Sequence, residues 1–488
     1  MALVNPLSEK LVDKRCKKGY TFDRILSKKA GGTVVPAEFL ERMKYFPGLD
    51  FAAFSAALEA PAVRALRINT LKTSAQRLLP LLPFRAAPLP FAENAFYAPE
   101  DKIGAHPAHH AGMLYMQDPS AISAVAAADP KNGLTVIDLC AAPGGKSTQL
   151  AAAIGKDGVL VSNEYVPARC RILQGNIERM GARNVIVTNL DTRELASFYG
   201  AAFDLVVADV PCSGEGMFRK YEVAGEEWSP AHVTACAERS REILENAAEL
   251  CAAGGKLLYS TCTFSLEENE QNIDAFLTAH PDFSLLPVPE ALAAVTANGV
   301  NFEGAAHDMT RCRRFYPHLS PGEGQFVALR GRRDDAAVTP ATGQKKPTSL
   351  SRADEAPVRA FLADALTEAP AGNLVLWRDT VYLAPDFPIP SRGVFAAGVA
   401  IGTLQKGRIV PHHQFFSAYG SDFVRRLALS ADDPRVARYL AGEEIDAPEL
   451  LGNDGFTAVL FEGAPLGGGK AVAGRLKNHY PKGLRNRC

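Results

Sequence analysis

Two cysteines stand where a thiol would be presented rather than packed. Cys212 lies in DVPCSG (209 to 214) and Cys262 in STCT (260 to 263), and each closes an apolar run, FDLVVADV or GKLLYSTC. At such a strand-to-loop junction, beside Pro211 or between two threonines, a side chain is offered to a ligand. Cys16, Cys170, Cys236, Cys251, Cys312 and Cys488 carry no such signal and read as small buried hydrophobes. A thiolate at that edge is a nucleophile for an electron-poor carbon. Asp209, three residues before Cys212, adds a carboxyl group that can hold a proton or a polar ligand atom. Spacing leaves the two thiols equivalent as candidates for the attack.

A second set of residues reads as a cofactor pocket. VIDLCAAPGGKST (136 to 148) is a strand running into a Gly-rich turn and then a helix, with Cys140, Ala141, Ala142, Pro143, Gly144, Gly145 and Lys146 forming the turn. Such a turn brings backbone close to a ligand and aims helix N-terminal amides at it. Gly145-Lys146-Ser147 resembles the end of a nucleotide-triphosphate loop, but the first glycine of that pattern would fall at Cys140, and Pro143 interrupts it. Glu164, about 20 residues past the turn, ends the next strand, where an acidic group accepts hydrogen bonds from ribose hydroxyls. Asp191 follows a third strand and is placed to meet an adenine amino group.

Two thiols and a carboxylate beside a methyl donor would suit one reaction, methylation of cytosine carbon 5. That carbon is a poor nucleophile until a thiolate adds at carbon 6 and makes the ring enamine-like. With a methyl-donating nucleoside in the crevice, one thiol attacks and the other assists release. Asp209 hydrogen-bonds the ring nitrogen and exocyclic amine of the adduct.

The elements that must position these residues form an α/β unit. LTVIDL (134 to 139), GVLVSNE (158 to 164), NVIVTN (184 to 189), FDLVVADV (203 to 210), GKLLYSTC (255 to 262) and FVALR (326 to 330) are short Val/Ile/Leu runs separated by helical patterns. That alternation predicts a Rossmann-like, doubly wound, mostly parallel sheet over 121 to 330. Before it, PAEFLERMKYF has helical spacing and ALRINTLKT alternates like a strand, predicting a small α+β domain over 34 to 120. Residues 331 to 355 are polar and read as a linker. From 356 to 488, short alternating segments between Gly and Pro predict a β-rich module. Residues 1 to 33, rich in Lys and Arg, read as a mobile basic extension of open role.

With 488 residues, 47% of them hydrophobic and 22% charged, the chain has room for two or three soluble domains. A net charge of -1 means that any basic surface must be local. The nine cysteines form no C-x-x-C pair and no zinc-spaced cluster, so neither a disulfide framework nor a metal is expected, and a reducing cytoplasm fits. No apolar run reaches membrane-spanning length and no signal-peptide order opens the chain.

Over nearly all of residues 36 to 488 the sequence resembles the Sun/Nop class of RNA cytosine-5 methyltransferases, and within it the RsmF-like bacterial ribosomal-RNA enzymes. The strings that carry the resemblance are LERMK, LRINTLK, QDPSA, DLCAAPGGKS, NE, DVPCSGEGMFRK, EEWSP, YSTCTF with EENE, RFYPH and GEGQFVA. The resemblance implies that Cys140 to Lys146 hold the methionine portion of S-adenosylmethionine, Glu164 its ribose and Asp191 its adenine. It implies that Asp209 lies near cofactor and base, that Cys262 attacks and that Cys212 releases the product. DNA cytosine-5 enzymes use the Pro-Cys thiol instead, which would nominate Cys212. Val210 departs from the Ala common in relatives.

The resemblance also implies a carboxyl-terminal PUA-like RNA-binding extension in LGGGKAVAGRLKNHYPKGLR. There Lys470, Arg475, Lys477, Lys482, Arg485 and Arg487, with His479 and Tyr480, follow the last acidic residue, Glu462. Such a run offers cations for phosphates and rings for bases. Arg219 and Lys220, just past Cys212, are placed to touch the target strand, whose cytosine must leave any stack. The expected partner is RNA, 16S ribosomal RNA or the small ribosomal subunit, bound by a monomer. Transfer RNA as substrate, or an assembly factor with dispensable catalysis, are the rival readings.

Overall fold

The computed structural model describes residues 35–99, 102–339, 350–405 and 407–486. The basic extension, Cys16, Arg487, Cys488 and residues 340–349 of the polar stretch lie outside them.

The Val/Ile/Leu runs form the centre. Strands β1 (Thr135–Asp138), β2 (Val159–Asn163), β3 (Val185–Thr188), β4 (Phe203–Asp209) and β5 (Cys251–Thr261) are parallel, in the spatial order β5-β4-β1-β2-β3. Helices Gly145–Ala153, Pro167–Met180, Thr192–Tyr199 and Pro230–Leu250 make the crossovers. Val136, Ile137, Leu160, Val161, Ile186, Val206 and Val207 are buried, as strands covered on both faces require. Strand β6 (Gln325–Arg332) returns antiparallel along β5. The order reverses at β1, which has β2 on one side and β4 on the other, and in such sheets ligands bind in the crevice outside the carboxyl ends at that point.

The predicted α+β domain divides its loyalties. Strands Ala65–Ile68, Ala87–Leu89, Ala92–Tyr97 and Leu114–Gln117 make an antiparallel sheet. Helices Ala37–Lys44 and Phe51–Glu59 bury their aromatic residues elsewhere, among Phe218, Trp228, Phe264 and Tyr316 of the catalytic region. Phe39 meets Phe218 edge-on at 5.1 Å, and Phe54 meets Phe264 at the same distance. The amino-terminal helices are thus packed onto the loops that carry Cys212 and Cys262.

The β-rich region forms two sheets. Asn373–Trp377, Thr380–Ala384, Val399–Gln405 and Arg408–Pro411 make an antiparallel sheet after helix Arg352–Ala365. Arg426–Leu429, Ile445–Asp446, Gly455–Phe461, Ala464–Val472 and Arg475–Asn478 make a five-stranded mixed sheet. Between Thr380–Ala384 and Val399–Gln405 of the first sheet, β7 (Val394–Ala397) adds antiparallel to β3 and extends the catalytic sheet. The five-stranded sheet shares a core with the amino-terminal sheet: Leu66, Ile68 and Met113 join Leu427, Tyr439 and Leu476. Lys72 fastens the junction, donating to the carbonyls of Ala111, Arg179 and Pro465 at 2.8, 3.0 and 3.2 Å.

Candidate active site

Register brings the thiols together. In the β4–β5 pair Asp209 stands opposite Ser260, so Cys212 and Cys262, three and two residues further on, leave adjacent strand ends side by side. Their sulfurs lie 3.3 Å apart, both half-buried and both free. The hydrogen bond with Cys262, and then burial, push the Cys212 thiol far up, so it keeps its proton at neutral pH.

Asp209 is held from three sides. Lys146 lies 2.7 Å from Oδ2, Ser260 Oγ donates to Oδ1 at 2.6 Å, and Gln325 Nε2 donates to the same oxygen at 3.3 Å. Burial opposes the Lys146 charge, but Asp209, by attraction and hydrogen bonding, outweighs it and raises the ammonium pKa. This ion pair joins the Gly-rich turn to the strand end beside the thiols.

The turn has a backbone that only glycine takes readily. Gly144 adopts φ +112°, a conformation that L side chains rarely take, and the helix Gly145–Ala153 begins directly after it. Asp138, at the end of β1, is fully buried; Oδ2 accepts from Ser147 Oγ at 2.7 Å, while Oδ1 has no hydrogen-bond partner among the described residues. Burial raises its carboxyl to about 7. Glu164 is buried at the end of β2, accepting from the Val166 amide at 2.8 Å with Arg169 at 3.5 Å. Asp191 is exposed at the end of β3 and caps helix Thr192–Tyr199 through the Arg193 amide at 2.9 Å. The Cys140 thiol is pushed well up by burial, which leaves it neutral and fits a lining role. A glycine turn, a buried acid on the second strand and an unsatisfied carboxyl oxygen between them fit a nucleoside cofactor.

Several groups that position the site carried no sequence prediction. Arg67, from the amino-terminal sheet, donates to Thr148 Oγ1 at 2.6 Å and to the Gly145 carbonyl at 3.1 Å, and so steadies the Gly-rich turn. Glu215 accepts from Trp228 Nε1 at 3.0 Å and from the Phe264 amide at 2.8 Å. Glu268 accepts from the Ser213 amide at 2.9 Å and from the hydroxyls of Ser213 and Ser265, and burial raises its carboxyl to about 7. The only signal for these acids was their nearness in sequence to the thiols, within SGEGMF and EENE.

Two residues expected to touch RNA have their side chains in the interior. Arg219 has a side chain only 4% exposed; it pairs with Glu323 at 2.7 Å and donates to the carbonyls of Ala57 and Gly322, because three segments converge on it. Tyr480 is buried, its hydroxyl 2.8 Å from His110 Nδ1 and its ring against Tyr439 and His413, so it presents no stacking face. Lys220 pairs with Asp118. Lys470, Lys477, His479 and Lys482 are exposed, and Arg485 is half-buried, donating to the Tyr480 carbonyl. Among the described residues no group of His, Cys, Asp and Glu is placed to hold a metal ion, and no helix is long and apolar enough to cross a membrane.

The fold and this crevice define a Rossmann-like, S-adenosylmethionine-dependent methyltransferase. Residues 125–330 match the family described as 16S rRNA methyltransferase RsmB/F, residues 35–119 the N-terminal domain of 16S rRNA methyltransferase RsmF, and residues 426–486 the methyltransferase RsmF PUA domain. Ribosomal RNA small subunit methyltransferase F of Klebsiella pneumoniae (strain 342) is 31% identical over 470 residues, 92% of this chain and 96% of that protein. The protein of the same name from Vibrio atlanticus (strain LGP32) is 31% identical over 472 residues, 92% and 97% of the two chains. The crystal structure of a methyltransferase homolog protein from Pyrococcus horikoshii superposes with a TM-score of 0.53 at 27% identity, covering 67% of this chain and all of that one. The chain belongs to the ribosomal RNA small subunit methyltransferase F family.

Proposed function

We propose that this enzyme methylates carbon 5 of cytosine in small-subunit ribosomal RNA through a covalent adduct on Cys262. The observation that carries the reading is the pair of sulfurs 3.3 Å apart beside the Lys146–Asp209 ion pair, at the carboxyl edge of the cofactor-binding sheet. The family's name supplies the substrate class.

S-adenosylmethionine supplies an electrophilic methyl group; Cys140 to Lys146, Glu164 and Asp191 are the residues that would hold it. Cys262, as thiolate, bonds to carbon 6, and the ring's π electrons shift to carbon 5. Lys146 and Asp209 together offer a donor and an acceptor to the ring nitrogen and the exocyclic amine, and so stabilise the charge that develops there. After carbon 5 has gained the methyl group, solvent water takes up its proton, the electrons of that carbon–hydrogen bond re-form the double bond, and the sulfur–carbon 6 bond breaks so that Cys262 leaves as thiolate. Cys212, kept protonated, assists that release. The carboxyl-terminal sheet contributes cations for RNA phosphates.

The test pairs two variants on 16S ribosomal RNA from a strain lacking the gene. Cys262→Ala is expected to abolish methyl transfer and leave cofactor affinity intact, whereas Cys212→Ala accumulates a protein–RNA adduct that survives denaturant. Retained turnover in Cys262→Ala would overturn the assignment. Sequencing of 5-methylcytosine in wild-type and deletion strains checks the substrate, and a mark confined to transfer RNA would reject it.

A further inference from the structure

The loop that carries Cys212 and the loop that carries Cys262 are joined by more than the two sulfurs. Glu268 is fully buried next to the helix Glu270–Ala279, and its carboxylate reaches back across both loops. It accepts from the Ser213 amide at 2.9 Å, from the Ser213 hydroxyl, and from Ser265 Oγ at 2.9 Å. Ser213 is the residue after Cys212, and its hydroxyl lies 2.8 Å from Thr263 Oγ1, the residue after Cys262. The Gly216 amide donates to the Cys262 carbonyl at 2.8 Å. A Cβ on Gly216 would stand 2.9 Å from that carbonyl oxygen, so the loops touch as closely as backbone allows.

Glu268 is itself held by its surroundings. The Tyr259 hydroxyl donates to its carbonyl, and its neighbour Asn269 bridges Thr261 Oγ1 and the Thr263 carbonyl at 2.7 and 3.0 Å. The next residue, Glu270, is paired in the interior with Arg314, which also donates to the Phe264 carbonyl at 2.8 Å. Burying a carboxyl group costs free energy that hydrogen bonds to its oxygens offset. Both of them face the segment just past Cys212.

We infer that Glu268 is a positioning residue for product release: through Ser213 it fixes the Cys212 thiol against Cys262, so that the adduct is resolved as fast as it forms. The inference rests on the roles given above to Cys262 and Cys212. Removing Glu268 leaves Cys262 at its strand end, where β4 and β6 hold it, and frees the loop of Cys212. Attack therefore survives and release does not. A displacement of one ångström at a reacting group costs on the order of 10²-fold in rate.

The full-length enzyme with Glu268→Ala, Glu268→Gln, Ser213→Ala and Cys212→Ala would be compared with wild type on 16S ribosomal RNA from the deletion strain. Multiple turnover, denaturant-stable adduct and cofactor affinity would be measured for each. For Glu268→Ala, turnover is expected to fall on the order of 10²-fold, with adduct accumulating as in Cys212→Ala and cofactor affinity unchanged. Glu268→Gln retains an acceptor for the Ser213 amide and should recover part of the release rate. Ser213→Ala keeps the amide contact and shows a smaller form of the same defect, and these two variants decide the matter if Glu268→Ala does not fold. Wild-type turnover in Glu268→Ala, or a fall in turnover without adduct while Cys212→Ala still forms it, would overturn the inference. Absence of adduct in Cys212→Ala would instead remove the cysteine roles themselves.

Discussion

Around the two thiols the polar side chains are held by buried partners, whereas on the five-stranded sheet near the carboxyl terminus the lysines stand in solvent. Asp209 has Lys146, Ser260 and Gln325 around it. Lys470 and Lys477 face each other across neighbouring strands, with the Phe456 ring beside Lys470 at 5.7 Å. Covalent chemistry demands fixed geometry, and a group used in the transition state loses its value when it must be reoriented. Binding a phosphate chain demands charge, and mobility in the cation costs little. The difference predicts that substitutions at the first region change rate steeply, and at the second change affinity gently and in a salt-dependent way.

The steepest expected effect is at Asp209. Asp209→Asn keeps the shape but removes the charge that raises Lys146 and puts an amide donor in place of one acceptor oxygen. A fall in kcat on the order of 10²- to 10³-fold is expected, measured with cofactor and RNA both saturating. An unchanged kcat would show that the ion pair only braces the turn.

A second prediction concerns stability. Burial lifts the carboxyls of Asp138 and Glu268 to about 7 in the folded protein, above the roughly 4 of the unfolded chain. A raised folded pKa means that the native state holds the proton over that window. The stabilisation is complete below about pH 4 and is lost as pH rises through about 7. The urea midpoint should therefore decline from pH 5 to 8, and Asp138→Asn, neutral throughout, should flatten the decline. A slope equal to wild type would place the Asp138 carboxyl outside this window.

The parallel sheet was readable because each strand is a Val/Ile/Leu run that ends in a polar residue, and fold class then places those ends along one edge. Register was not readable, and it is register, Asp209 opposite Ser260, that sets the sulfurs side by side. Strand β7 joins β3 from about two hundred residues away, and an edge addition of four residues leaves no local period. Glu215 and Glu268 sit in strings that look like solvated acidic loops, since carboxylates are seldom buried, and nothing local tells which ones find partners. Arg219 and Tyr480 lie in the interior for the reverse reason. Each has a polar tip and a long apolar body, and the interior accepts such a side chain when partners such as Glu323 or His110 await it.

Tyr480 gives a smaller effect that separates packing from RNA binding. Tyr480→Phe removes its hydrogen bond to His110 at the junction of the two terminal regions. A loss of about 1 kcal/mol is expected from the urea midpoint, with RNA affinity unchanged at every salt concentration. Weakened RNA binding by the folded variant would return Tyr480 to the contact surface.

The gentlest effect belongs to the lysine pair. Lys470 and Lys477 are opposite partners in the strands Ala464–Val472 and Arg475–Asn478, and both are exposed. Like charges directly across a ladder repel, so the free protein carries a small penalty that a phosphate between them would remove. Phe456, opposite Lys470 on the other side, and exposed His479, 5.9 Å from Phe456, give that face the rings that Tyr480 does not offer. Lys470→Ala with Lys477→Ala should raise the urea midpoint slightly, lower RNA affinity at low salt, and reduce the slope of log affinity against log salt by roughly 0.7 for each phosphate left without its cation. A double variant with wild-type slope would move the RNA path off this sheet face and onto cations elsewhere, while leaving the chemistry at the thiols untouched.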